Sequence, residues 1–352
     1  MKTITLGILG GGQLGRMSAM AAARLGIKTV IFTPETDSPA SHVAFKTIVA
    51  NYDDETALRA FAESVNVISY EFENIPVKTV QYIKTLKPVY PDEMLLEIAQ
   101  DRVSEKSYLN SIGIPTARWH APTAPQEVLD TLDTWQATHC ILKTRRFGYD
   151  GKGQTRYSRD MNIDTVLSQF QNTPLIMEEI VDFTGELSVI IARDHTGHSE
   201  TYGPVWNEHK DHILSRSLVP APISDTTAQN ALALAQTLAG AVNLRGILTL
   251  ELFLLPDGGL LANEIAPRTH NSGHWSIDAC TVSQFENHIR AVCGLPIALP
   301  ARHSNAEMIN LIGDDIKNIE NYIDKNGAAV HLYGKSEPRP GRKMGHVTFL
   351  KR

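Results

Sequence analysis

Three stretches of this 352-residue chain predict an α/β fold. Thr3 to Leu9 is a short apolar run that reads as a buried strand. Gly10-Gly11-Gly12-Gln13-Leu14-Gly15 and a helical segment, Arg16 to Leu25, follow it, which is the strand, Gly-rich turn, helix order of a parallel sheet. His139 to Arg156 carries a strand ending in Lys143 into a loop of glycines and lysines. Gly246 to Trp275 reads as two apolar strands joined by Pro256-Asp257-Gly258-Gly259. Composition agrees: 42% hydrophobic and 20% charged residues with a net charge of -6 describe a globular enzyme of two or three domains. The mild acidity gives no support to a nucleic-acid or membrane partner. Cys140, Cys280 and Cys293 show no pairing motif, no run reaches transmembrane length, and the N-terminus is too short and Gly-rich for a signal peptide. Reduced thiols in a cytoplasmic protein are therefore expected.

In the N-terminal part, the G-x-G-x-x-G turn would let a phosphate approach the amides at a helix N-terminus. A dinucleotide also wants an acidic residue at the tip of the next strand, Thr29 to Thr33. Glu35 lies behind Pro34 in a loop instead, which leaves a phosphate-facing or a structural turn. Val65 to Glu73 is another strand. Glu71 and Glu73 sit at its carboxyl end, where open α/β sheets bind ligands, so either is a candidate for a ligand hydroxyl. Lys87 to Pro91 reads as a further strand, and Asp92 to Ser111 as a helix with Arg102 and Lys106 one turn apart. Gly113-Ile114-Pro115 then opens a new domain.

The loop from Phe147 to Gly153 has glycines and lysines that can close over phosphates with backbone N–H groups and point charges. Its spacing is not that of a Walker site. Leu175 to Asp182 and Glu186 to Arg193 read as a strand pair around Phe183-Thr184-Gly185. Their backbone around Glu178 and Glu179 suits an adenine edge, and Glu186 a ribose. His195, His198, His209 and His212 form two H-x-x-H pairs, but polar loops without a cysteine lack the fixed geometry of a zinc site. Ser224 to Asn243 is an Ala/Leu-rich helix leading into the hairpin.

Register arithmetic makes that hairpin informative. If Asp257 and Gly258 form the turn, Pro256 faces Gly259, Leu255 faces Leu260, and Glu251 faces Glu264. Two facing carboxylates repel, and in an apolar hairpin each needs a partner. A divalent cation such as Mg²⁺, commonly held by one or two carboxylates plus substrate phosphates, removes that cost. A solvated hairpin face is the competing reading. The donor-rich tail after Glu264, APRTHNSGHW, argues for a substrate loop. Thr281 to Cys293 is a helix, and the remainder to Arg352 is a small closing domain. The basic loop from Tyr333 to His346 suits an anion such as a phosphate monoester.

The strings GILGGGQLGRM, YEFENIP, ILKTRRFGYDGKGQ, MEEIVDF, ELSVI, TLELF, NEIAPRTHNSGHW and GRKMGHV occur in this order along essentially the whole chain. Together they resemble the ATP-grasp superfamily and, within it, the N5-carboxyaminoimidazole ribonucleotide synthases of purine biosynthesis. Thr269 stands where those enzymes usually have Pro. Ala266 stands where some other superfamily members place a metal-binding Asn. The resemblance implies a Rossmann-like domain over 1–100, an ATP-grasp domain over 101–296 with a lid at about 115–180, and a small domain over 297–352. It also implies a homodimer that uses ATP and bicarbonate to carboxylate 5-aminoimidazole ribonucleotide. Arg102 and Lys143 would hold ATP phosphates under a loop of Gly148, Tyr149, Asp150, Gly151, Lys152, Gly153 and Gln154. Glu178, Glu179, Ile180 and Val181 would line the adenine and Glu186 the ribose, with His209 and Asn263 nearby, while Glu251 and Glu264 hold Mg²⁺. Glu73, Tyr149, Asp150, Arg268, His270, Asn271, Ser272, Lys335 and Arg342 would surround the ribonucleotide and bicarbonate, with Gln13 and Leu14 adding contacts. Asp150, Arg268 and His270 would be catalytic. The alternatives are a formate-dependent glycinamide ribonucleotide transformylase within the superfamily and, on the Gly-rich turn alone, an NAD-dependent oxidoreductase.

Overall fold

Period-two alternation builds the first sheet of the computed structural model, which describes residues 4–148, 151–171 and 173–351. Its four strands are all parallel and run in the order Lys46–Val49, Lys28–Thr33, Thr5–Leu9, Val67–Tyr70. Leu6, Ile8 and Ile31 point to one face and Leu9, Val30, Phe32 and Ile68 to the other, each into its own core. The helix Gln13–Arg24 covers the first face together with Gln284–Val292, which returns from far along the chain. The expected strand at Lys87 to Pro91 is reduced to one bridge, Ile68 to Val89. The expected helix from Asp92 to Ser111 is two helices, Glu93–Ala99 and Arg102–Ser111. Asp101 separates them because its carboxylate caps the second one at Val103 and Ser104.

The second sheet has eight strands in the order Leu260–Ala266, Gly246–Leu254, Gly185–Arg193, Ser199–Lys210, Ile213–Val219, Asn305–Ile312, Lys343–Lys351, Ala328–Leu332. The strands of the small closing domain extend this sheet. Helix Asp225–Ala241 packs its Ala231, Ala235 and Leu238 on one face. A third, four-stranded sheet runs Trp119–His120, Leu175–Glu178, His139–Thr144, Gln154–Ser158. The pairing expected between the strands flanking Phe183-Thr184-Gly185 is overturned. Leu175–Glu178 pairs with His139–Thr144, while Gly185–Arg193 pairs with Ser199–Lys210 and Gly246–Leu254 in the other sheet. Residues 179–184 are therefore the crossing between two sheets and no hairpin.

The hairpin carrying the two glutamates has a different turn from the expected one. Leu255 pairs with Gly259, N to O at 2.9 Å, leaving Pro256, Asp257 and Gly258 as a three-residue loop with Gly258 at φ +87°. That conformation favours glycine. Leu254 consequently faces Leu260, one residue out of the expected register, and a bulge at Asn263 restores it, so that Glu251 faces Glu264. The expectation for the pair holds through two compensating shifts.

Candidate active site

Glu251 and Glu264 sit side by side where the eight-stranded sheet meets the helix Arg102–Ser111 and the loop after Ala266. Glu251 Oε1 lies 3.0 Å from His270 Nε2 and its side chain is 15% exposed, whereas that of Glu264 is 42% exposed. The two carboxyls are pushed apart. Burial raises Glu251, but its hydrogen bond to His270 and the charges around it hold it below the ordinary range. Burial and the Glu251 charge together push Glu264 up. An acceptor-only pair with one member open is the hard-oxygen donor set that suits Mg²⁺. Arg102 lies 3.6 Å from Glu264 and donates to Gly148 O at 3.3 Å, which ties the strand of Glu264 to the glycine loop.

Behind them lies a row of buried charges. Lys143 donates to Glu178 at 2.8 Å, and Lys106 lies 3.6 Å from the other oxygen of Glu178. Burial pushes Lys143 down. Burial alone would raise Glu178, but Lys143 and Lys106 hold it low. Glu178, expected along the adenine, thus has its carboxylate committed to the lysines. Lys106, noted on the sequence only as one turn beyond Arg102, also reaches Asn263 O at 3.5 Å. Glu105, which sequence reasoning passed over, accepts from Ile265 N at 2.7 Å. Burial and the charge of Glu264 push it up to about 8. Nothing but membership of one helical face marks these two in the sequence.

The glycine loop rests on the turn between two strands of the large sheet. A Cβ at Gly151, where φ is +76°, would lie 2.6 Å from the His212 ring, so this approach needs a glycine. Gly153 O accepts from Thr144 N at 2.8 Å, and Gln154 pairs with Lys143. Lys152 is exposed. Tyr149 and Asp150 lie outside the described residues. His209, expected in a polar loop, is on the strand Ser199–Lys210 with Nδ1 2.9 Å from Glu186 Oε1. Burial lowers its pKa, but Glu186 outweighs that and raises it. Glu179 is engaged by Arg118 at 2.5 Å. Its N–H donates to Arg118 O at 2.9 Å.

A second cluster lies toward the N-terminal sheet. Beyond the strand Val67–Tyr70, Glu71 and Glu73 take separate partners. The Glu71 carboxylate accepts from Gly12 N and, at 2.8 Å, from Gly15 N. Burial raises it against those bonds. Two of the amides that a dinucleotide pyrophosphate would need are therefore held by the chain's own carboxylate. Gln13 starts the helix here, and the Leu14 side chain is in the core. Only the backbone of Leu14 is left to offer. Glu73 forms an ion pair with Arg268, which overcomes burial and brings it down to about 2.

The loop after Arg268 is braced from within. Gln284, also missed on the sequence, accepts from His270 N at 3.0 Å and donates to His270 O at 2.7 Å. Ser272 Oγ lies 2.8 Å from His270 Nδ1 and 2.7 Å from Ser188 Oγ, and Asn271 exchanges hydrogen bonds with Asn310. The side chains of Asn271 and Ser272 are buried in this network and position His270. Lys335 donates to Lys343 O at 2.7 Å, and Arg342 to Glu337 O at 2.9 Å. Burial, together with the charges of Arg342 and Lys343, pushes Lys335 down to about 8. A cation cluster under such strain favours an anion.

A four-stranded sheet with a glycine loop, set beside an antiparallel sheet that carries two facing glutamates, is the arrangement of an ATP-grasp enzyme. The ATP-grasp domain family matches residues 107–285, the ribonucleotide synthetase preATP-grasp domain residues 1–100, and the phosphoribosylaminoimidazole carboxylase C-terminal domain residues 306–352. The N5-carboxyaminoimidazole ribonucleotide synthase of Brucella melitensis is 48% identical, over 99% of this chain and 96% of that one. A crystal structure of an N5-carboxyaminoimidazole ribonucleotide synthetase in complex with ADP superposes with a TM-score of 0.94 at 37% identity, covering 100% of this chain and 94% of that one. The Aspergillus clavatus enzyme in complex with ADP and 5-aminoimidazole ribonucleotide has a TM-score of 0.91 at 29% identity, over 99% and 94% of the two chains. The chain belongs to the N5-carboxyaminoimidazole ribonucleotide synthase family. It is an ATP-dependent carbon–nitrogen ligase of the ATP-grasp superfamily. Among the described residues no helix is long and apolar enough to cross a membrane, and the three cysteines are unpaired.

Proposed function

We propose that the chain carboxylates 5-aminoimidazole ribonucleotide with bicarbonate at the expense of ATP, giving N5-carboxyaminoimidazole ribonucleotide, ADP and phosphate. The observation that carries this reading is the facing pair Glu251 and Glu264, set between the cation row of Arg102, Lys143 and Lys106 and the Arg268–His270 loop. Bicarbonate is a poor electrophile, so one of its oxygens must first take the γ-phosphoryl group, giving carboxyphosphate. Such a transfer asks the protein for positioning and charge neutralisation more than for covalent help. Arg102 and Lys143, with the loop from Gly148 to Gln154 closing above them, are assigned to the ATP phosphates. The backbone of Glu179 to Val181 is assigned to the base and Glu186 to the ribose, with His209 orienting Glu186. Glu251 and Glu264 would hold Mg²⁺, which supplies charge neutralisation to the phosphates.

Carboxyphosphate is labile in water, so the lid has to exclude solvent before the amine attacks. Arg268, held by Glu73, is assigned to the bicarbonate and carboxyphosphate oxygens, and Lys335 and Arg342 to the 5′-phosphate of the ribonucleotide. Proton removal from the amine is assigned to Asp150 or His270. The reading includes a cytoplasmic homodimer, for which unpaired cysteines and the family resemblance are the support. It also keeps 1–100, 101–296 and 297–352 as the working divisions of the chain. ADP release measured with each substrate omitted tests the reaction. Release should require both bicarbonate and 5-aminoimidazole ribonucleotide. Release supported by formate and glycinamide ribonucleotide instead would overturn it.

A further inference from the structure

Away from the ATP site, the boundary between the loop after Trp275 and the last strands encloses a group of polar side chains that the reaction does not use. His331 and His346 are directly opposite on adjacent antiparallel strands, so both rings leave the same face of the sheet. The rings lie 4.5 Å apart, within 11° of parallel. Asp278, in the short helix Ser276–Ala279, comes down on them, with its carboxylate oxygens 2.9 and 3.2 Å from His331 Nε2. One ligand atom from each of Asp278, His331 and His346 lies within 4.8 Å of the other two. This is the one such trio of carboxylate, thiol and imidazole groups among the described residues.

Two further observations point to a missing partner. His346 is fully buried, and its Nε2 has no hydrogen-bond partner, a costly arrangement for a polar nitrogen. Its Nδ1 lies 2.9 Å from the Tyr333 hydroxyl, and in the tautomer that donates Nδ1–H to that oxygen the ring is fixed and Nε2 carries the free lone pair. Burial, and then the charge of His331, push His346 well below the usual histidine range.

We propose that Asp278, His331 and His346 form a second cation site, which takes a transition-metal ion of the zinc class and fastens the loop after Trp275 to the closing strands. Two imidazoles and one carboxylate are the donor set that zinc and its neighbours favour over Mg²⁺. On binding, the two rings would turn out of their stacked arrangement so that both in-plane lone pairs reach the ion, and the proton that His331 Nε2 shares with Asp278 would move to Nδ1. The site uses no residue assigned to ATP or to the ribonucleotide, so it stands or falls apart from the proposed reaction.

The test uses the full chain, stripped with a chelator and titrated with Co²⁺ in excess Mg²⁺. Retained ion is measured after gel filtration, and imidazole ligation is read from the visible absorption. One equivalent per chain is expected. Asp278→Asn and His331→Gln should each bind at least about tenfold more weakly, while His198→Gln and Glu264→Gln should keep the equivalent. No retention by the unaltered chain, equal retention in Asp278→Asn and His331→Gln, or loss in Glu264→Gln would each overturn the site. In histidine-labelled protein Co²⁺ should also displace the ring resonances of His331 and His346. If those signals do not move, the proposal fails however the variants fold.

Discussion

At the scale of single residues, the site is a set of charges held away from their ordinary ionisation. Glu264 is the clearest case, since burial and the neighbouring Glu251 both work against its charge. Glu264→Gln keeps shape and hydrogen bonding but removes one of two hard anionic donors. Turnover should fall by about a hundredfold or more, the order seen when one preorganised electrostatic contact is lost. Melting temperature should hold or rise, because a like-charge pair is relieved. Near-normal ADP formation would mean that the pair holds no metal in the reaction. Lys335 makes a second case. With its pKa pushed down to about 8 by burial, Arg342 and Lys343, it is charged below that pH and neutral above it. An anion binds the charged form, so KM for the ribonucleotide should climb about tenfold per pH unit above about 8, while KM for ATP stays level. Lys335→Ala should raise the ribonucleotide KM by about tenfold or more at neutral pH and abolish that climb. A climb that survives the substitution would assign the titration to another group.

At the scale of elements, the Gly-rich turn and the strand end after Tyr70 are one structure, because Glu71 fills the helix N-terminus that the glycines open. Glu71→Ala leaves the N–H groups of Gly12 and Gly15 without this partner. With two largely buried donors orphaned, the loss should be about 2–3 kcal/mol of unfolding free energy in urea. A loss below about 0.5 kcal/mol would show that water replaces the carboxylate. This pairing also marks what the sequence could convey. The strand–turn–helix pattern was legible because glycines and apolar alternation are local, but the tenant of the turn lies 59 residues from Gly12 and leaves no local trace. The same limit explains Leu175–Glu178 and Gly185–Arg193. Adjacent strands with a turn between them suggest a hairpin, yet hydrogen bonding to distant strands sends them to different sheets. Glu251 and Glu264 were expected to face each other from a two-residue turn, and they do so although the turn is a three-residue loop. The bulge at Asn263 that restores their register was not legible, since no residue type announces a bulge. Lys106, Glu105 and Gln284 carry ordinary helical signatures and become site residues only through what packs against them.

At the scale of the molecule, the N-terminal sheet does not finish its own core. Leu6, Ile8, Leu14, Met17 and Ile31 pack with Phe285, Ile289, Val292 and Tyr333, and Ser69 Oγ meets His288 Nε2 at 2.9 Å in the interior. The helix Gln284–Val292, far downstream in the chain, thereby closes one face of the first sheet. The Glu73–Arg268 pair links the same two regions at the active site. Burying one side chain of this kind is worth about 1.5–3 kcal/mol, and the stability of a small domain is only about 5–15 kcal/mol. Losing the covering residues together should remove most of it. A fragment of residues 1–100 should therefore keep helical and strand content but lack fixed packing, giving a weak near-ultraviolet dichroism signal, strong dye binding and no sharp thermal transition. Adding Phe285→Ala to the full chain should cost about 3–5 kcal/mol and weaken ribonucleotide binding, because the contact region that it supports joins Glu73 to Arg268. A fragment that melts cooperatively with native-like aromatic dichroism would show that the first sheet is autonomous, and would leave the Glu73–Arg268 pair as a tie between that sheet and the loop after Ala266.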